Sequence, residues 1–328
     1  MPQETPSLIT AEQEQTAEQA KLETTDSLKR LYNEVNTNPK TIEEYFRYEP
    51  EMLAFHERIK NDFQQKVEKF IEKCRGTPLE ETSQGLTGDF PRDFDTVLLE
   101  YYKFLDLRNR KKAMEKVKNF PDIPDVTPVA DIVLSGDIGI YFRPKPQENK
   151  SGGILINYDA KKTQNISNLK HIIYHEALHH MVSVRENGFV EEGIIEILLE
   201  KSLNDMDLYD QYQKFVKTLI NLDEKLFFDW VSEDISIKKY RNKLYELFFS
   251  KGLSDSNAKE MAIYIVDINL HFLHWEYEVL EWEQRRDRAF VNKEKEKLIN
   301  EVMKNINQII KGEFLPQKGK IYSLPDFK

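Results

Sequence analysis

A single cysteine, Cys74, stands in a chain of 328 residues. One thiol can close no internal disulfide and build no cysteine zinc cluster. No run approaches the roughly 18 consecutive apolar residues that mark a membrane-crossing helix. The first residues, MPQETPSLITAEQEQTAEQAK, carry neither the basic segment nor the apolar core of a secretory signal. The expected compartment is therefore the cytoplasm, with export by a non-classical route left open. Positive charge is in deficit: 47 Lys and Arg against 57 Asp and Glu give a net charge of −10, which speaks against a general nucleic-acid binder. Glycine is sparse, at 12 residues, and none of it forms a phosphate-cradling loop; no internal repeat is visible. What remains is 40% hydrophobic and 32% charged, a helix-rich composition that can fill one large or two modest domains.

Against that background one string stands out: His175-Glu176-Ala177-Leu178-His179. On a helix this spacing puts two imidazoles one turn apart on one face with a carboxylate beside them, as a catalytic zinc ion requires. The pattern arises by chance in roughly one or two of every hundred chains of this composition, so its surroundings matter. Residues 166–186 have helical periodicity, with Ser167 or Asn165 as the starting cap and Asn187-Gly188 as a left-handed stop. At about 100° per residue, Leu169, Ile173, Tyr174, Ala177, Leu178, Met181 and Val184 form an apolar arc, and His175 and His179 lie opposite it. His171 is one turn earlier near the same face, where it can touch substrate or form polar rim. His180 points to the edge of the apolar arc and reads as structural.

Residues 189–200 repeat the design. Val190, Ile194, Ile195, Ile197 and Leu198 make the apolar arc, and Glu192, Glu196 and Glu200 form a stripe opposite. Like charges one turn apart cost a helix a few tenths of a kcal/mol per pair, or about 0.3 kcal/mol. A cation held by Glu192, with Glu196 accepting a proton from a ligand imidazole, would offset that repulsion. Glu191 falls within the apolar arc and ranks below Glu192 as a metal ligand.

The two segments together resemble the gluzincin group of zinc metallopeptidases. In that group two motif histidines and a glutamate on the following helix bind zinc, often in a Glu-Gly context such as Glu192-Gly193. The resemblance covers residues 150–200, with an extension back to 131 through two strands. It implies Zn²⁺ as cofactor, His175, His179 and Glu192 as its ligands, Glu176 as general base and Glu196 as brace of a ligand histidine. It also implies a peptide or protein substrate. The 12 residues between His179 and Glu192 are fewer than in aminopeptidase-like members, which points to a compact form. Such enzymes often hold the developing oxyanion with a downstream Tyr or His; the candidates are Tyr240, Tyr245, Tyr264, His271 and His274.

The expected fold is α+β and predominantly helical: zincin-like, with a small sheet over the HExxH helix and a helical C-terminal subdomain. Residues 1–40 read as a mobile polar tail and 41–130 as a helical region, helical over 41–75 and 94–119 with a loop between. Residues 131–203 read as the zincin core, with strands at Asp137–Arg143 and Gly153–Tyr158, and 204–328 as helical. Two other functions fit the sequence: a zinc hydrolase of a non-peptide amide or an inactive zincin-like domain, and a helical scaffold protein carrying a chance HExxH.

Overall fold

A computed structural model describes residues 39–87, 90–106, 110–134, 137–143, 152–182, 188–203, 210–231, 235–278 and 288–312. The chain divides into two compact units, 1–53 and 54–328. In the first, helix α1 (Ile42–Tyr45) is capped by Thr41, whose hydroxyl accepts from the Glu44 N–H at 3.2 Å. Helix α2 (Glu51–Lys73) begins in this unit and continues into the second. The helix expected over 41–75 is thus broken at Pro50, which lacks an N–H and disfavours helical backbone at Glu49.

In the second unit, α3 (Glu80–Gln84) and a short 3₁₀ turn (Gly85–Thr87) occupy part of the segment expected to be a loop. Next come α4 (Phe90–Asp106), with Pro91 tolerated in its first turn, and α5 (Arg110–Lys118). A three-stranded sheet follows: β1 (Asp125–Val129), β2 (Gly139–Phe142) and β3 (Gly153–Asn157), in spatial order β1-β3-β2. Strand β1 runs parallel to β3 and β2 antiparallel. β1 lies ahead of the expected β region because Pro124 and Pro128 make it read as a rigid connection. Pro128 is compatible with a strand here because β1 is an edge, where a missing N–H costs no ladder bond. The four-residue α6 (Asp131–Leu134) links β1 to β2.

The HExxH segment forms α7 (Ile166–Met181). Asn165 is its cap, its side chain accepting from the Ser167 and Asn168 N–H groups at 2.9 and 3.2 Å. The helix ends at Met181 with Val182 as its C-cap, Gly188 opens α8 (Gly188–Leu203), and Asn187 of the expected stop lies outside the described residues. Tyr101 of α4 donates to the Met181 carbonyl at 2.9 Å, satisfying one of the orphan acceptors at the helix end. α7 packs on β2, β3, α4 and α8, and is buried on nearly every side. Tyr174 lies in an aromatic cluster with Phe63, Phe90 and Phe94, and its hydroxyl donates to the Phe90 carbonyl at 2.8 Å. Truncating one such core side chain to alanine costs about 3–5 kcal/mol, so the HExxH helix is held rigidly.

Among the described residues after 203 the elements are all helices: α9 (Asp210–Leu222), α10 (Glu224–Val231), α11 (Ile237–Ser250), α12 (Asp255–Glu278) and α13 (Arg288–Lys311). The architecture is predominantly helical with one small mixed sheet. Among the described residues no helix is long and apolar enough to cross a membrane.

Candidate metal centre

Helix α7 delivers His175 and His179 one turn apart, and α8 delivers Glu192 from the facing side. Gly193 lets α8 lie close against α9: a Cβ there would lie 2.3 Å from the Tyr212 carbonyl oxygen of α9. The Nε2 atoms of His175 and His179 are 3.1 Å apart. Glu192 Oε2 is 3.0 Å from His175 Nε2, and Glu192 Oε1 is 3.3 Å from His179 Nε2. A tetrahedral ion with bonds of about 2.0–2.1 Å spaces its donors about 3.3–3.4 Å apart. The triad therefore has the size and the donor chemistry of a divalent-metal site.

The far nitrogens of both histidines are engaged by carboxylates. His175 Nδ1 is 2.8 Å from Glu196 Oε1, and His179 Nδ1 is 2.8 Å from Glu191 Oε1. With those nitrogens donating, each Nε2 carries its lone pair toward the same point. One helix thus supplies a candidate ligand and two braces, Glu191, Glu192 and Glu196. Glu191 is buried, and its other oxygen meets Arg143 Nη2 at 2.5 Å at the end of β2. His171 does not face the cleft; it is buried, with Nε2 3.4 Å from Glu196 Oε1. Glu200, at the end of the stripe, is about half exposed and pairs with Gln213 and Lys217.

Electrostatics follow from this crowding. In the chain alone, burial would lower the pKa of His179, but Glu192 and Glu191 outweigh it and raise it to about 9. His175 also lies well above its ordinary value, because hydrogen bonds and charge from Glu192 and Glu196 overcome burial. Burial would push the Glu192 carboxyl up, yet His179 and His175 hold it far below the usual range. Glu196 is held at about 2 against burial by His171 and His175. Glu176 moves the other way: burial raises it, opposed by His175 and His179. Tyr141 of β2 offers its backbone N–H to this carboxylate.

A cleft of about 400 Å³ opens over the triad and is lined also by Gly139, Tyr141, Arg143, Phe189, Tyr212 and Lys295. Strand β2 forms one wall. Asn157 donates to the Ile138 carbonyl, so in antiparallel alternation Ile140 and Phe142 bond to β3 while Gly139 and Tyr141 turn their backbone groups to the cleft. Tyr141 places its hydroxyl 2.8 Å from His180 Nδ1, which gives His180 its structural partner. Apart from Phe189, these lining residues are far from the motif in sequence and carry no local signal that could have singled them out. Of the oxyanion candidates, Tyr264 and Tyr240 are buried and absent from the cleft lining, and Tyr245 bonds Asp255 at 2.8 Å. His271 and His274 fall on α12, but their side chains lie outside the described residues. No family model, no curated protein and no solved structure matches the chain.

Proposed function

We propose that this chain is a zinc-dependent metallopeptidase of gluzincin type, with a zincin-like core formed by the sheet, α7 and α8. The observation that carries the reading is the convergence of three donor side chains, whose nitrogens and carboxylate oxygens approach at 3.0, 3.1 and 3.3 Å, with both outer histidine nitrogens tied to carboxylates. His175, His179 and Glu192 would hold the ion. Bound there, zinc supplies Lewis acidity, activating water as a nucleophile near neutral pH and polarising the scissile carbonyl.

The chain's own groups do the rest. Glu176 accepts the proton of the attacking water on its carboxylate and passes it to the nitrogen of the leaving amine. Burial raises its affinity for that proton, which suits a group that must take it and give it back. The Tyr141 N–H holds the carboxylate in place. Glu196 and Glu191 keep His175 and His179 in one tautomer and one orientation. The cleft-facing edge of β2 supports a peptide rather than a small amide as substrate, because an extended backbone can add to it as a further strand.

Digestion of a broad peptide library by zinc-loaded protein tests this. Wild type should cleave, and Glu176→Gln should keep its zinc and lose turnover. A fully active Glu176→Gln would make the base assignment wrong. A zinc-loaded wild type that leaves every peptide intact would sink the peptidase reading and favour a non-peptide substrate or an inactive zincin-like domain.

A further inference from the structure

Glu191 presents a problem that the metal triad does not solve. Its side chain is 4% exposed and lies outside the ligand set, yet it touches one of the candidate ligands. One oxygen receives His179 Nδ1. The other oxygen meets the guanidinium of Arg143, whose side chain is 43% exposed in the cleft wall. We infer that Arg143 is a positioning residue for the metal: it holds Glu191 in place, and through Glu191 it aims His179. The inference rests on the metal-centre reading given above.

The geometry gives the proposal a definite sign. Through space alone, a guanidinium near a divalent cation repels it, so removing Arg143 would tighten metal binding. Positioning predicts the opposite. Without Arg143 the Glu191 side chain loses the contact that fixes its outer oxygen, so His179 Nδ1 loses a fixed partner, its Nε2 is no longer aimed at the shared point, and affinity drops. Arg143 lies at the strand end, beyond the core, so the fold does not depend on it.

Zinc affinity, measured by competition with a chromophoric chelator, decides the matter in wild type, Arg143→Gln, Arg143→Lys, Glu191→Gln and the Arg143→Gln/Glu191→Gln double variant. Arg143→Gln should bind zinc about tenfold more weakly, the lower end of what partners outside the ligand set carry. Arg143→Lys should recover part of the loss. In the Glu191→Gln background, Arg143→Gln should change affinity less than about twofold, since residues acting through one contact are not additive. Unchanged or tighter binding by Arg143→Gln overturns the proposal, as does a full effect in the Glu191→Gln background. If wild type takes up no zinc, the metallopeptidase reading itself fails and takes this one with it. If wild type binds and Arg143→Gln binds equally well, only the role of Arg143 is lost. Thermal melts of the metal-free variants check that each is folded, and the exposed, conservative Arg143→Lys keeps the test decisive.

Discussion

Gly193→Ala is a one-carbon perturbation with a large calculated consequence. The added Cβ would stand 2.3 Å from the Tyr212 carbonyl oxygen, 2.5 Å from Val216 Cγ2 and 2.8 Å from the Tyr212 carbonyl carbon. Two of these are backbone atoms of α9 and cannot swing aside. To restore ordinary contact at about 3.4 Å, α8 and α9 must part by roughly 1 Å. Overpacking of this kind costs about 1–3 kcal/mol, against which alanine regains about 1 kcal/mol of helix propensity. The backbone clash places the cost at the upper end, so a net loss of about 2 kcal/mol is expected, or roughly 4–8 °C in melting temperature. Because Glu192 is the adjacent residue, the same shift draws a candidate ligand off a point that the histidines still share. A misplacement of about 1 Å is worth about 100-fold in activity, and zinc affinity should fall with it. Gly153→Ala is the control, since no atom lies within 4 Å of a Cβ there. Calorimetry and zinc titration of the two variants give the test. A Gly193→Ala protein as stable and as tightly metal-bound as Gly153→Ala would refute the close approach of α8 to α9.

Gly139→Ala should act on the proposed base, Glu176, instead of the proposed ligands. Its Cβ would sit 2.8 Å from Ile172 Cγ2 and 2.9 Å from Glu176 Oε1, so turnover should fall about 100-fold while zinc affinity stays within about threefold. Equal losses in both would show that the whole centre had moved. Glu196→Ala removes the acceptor of His175 Nδ1 and should weaken zinc about 10- to 100-fold; a titration matching wild type would deny it that role. The pH profile of the metal-free protein follows from linkage. The His179 contribution, with its pKa raised from 6.5 to about 9, is complete below 6.5 and lost as pH rises through about 9. The Glu196 contribution, with its pKa lowered from 4.5 to about 2, is complete above 4.5 and lost as pH falls toward 2. Melting temperature should therefore peak between pH 4.5 and 6.5 and decline toward 9, and a rise from pH 7 to 9 would contradict the ionic cluster.

The histidine pair and the Glu-Gly segment were legible because helical spacing alone sets which side chains share a face. The same wheel left Glu191 without a role, although it is buried as its place in the arc implies. It placed a carboxylate in an apolar arc and could not show that His179 and Arg143, from two other elements, would meet it there. Arg143, Tyr141, Tyr212 and Lys295 reach the cleft only through tertiary packing, which no local pattern encodes. His171 shares the histidine face by periodicity, yet α8 covers it and turns it toward Glu196. Strand β1 was hidden by its own prolines, whose meaning depends on whether the strand lies at a sheet edge.

Zinc K-edge absorption on the purified, zinc-titrated protein, with metal content measured on the same sample, tests the metal centre most directly. One zinc per chain is expected, bound by two imidazole nitrogens at about 2.0–2.1 Å and by carboxylate and water oxygens at about 2.0–2.2 Å, and lost in His175→Ala. A chain that takes up no zinc, or that holds it undiminished after His175→Ala, would contradict the central claim.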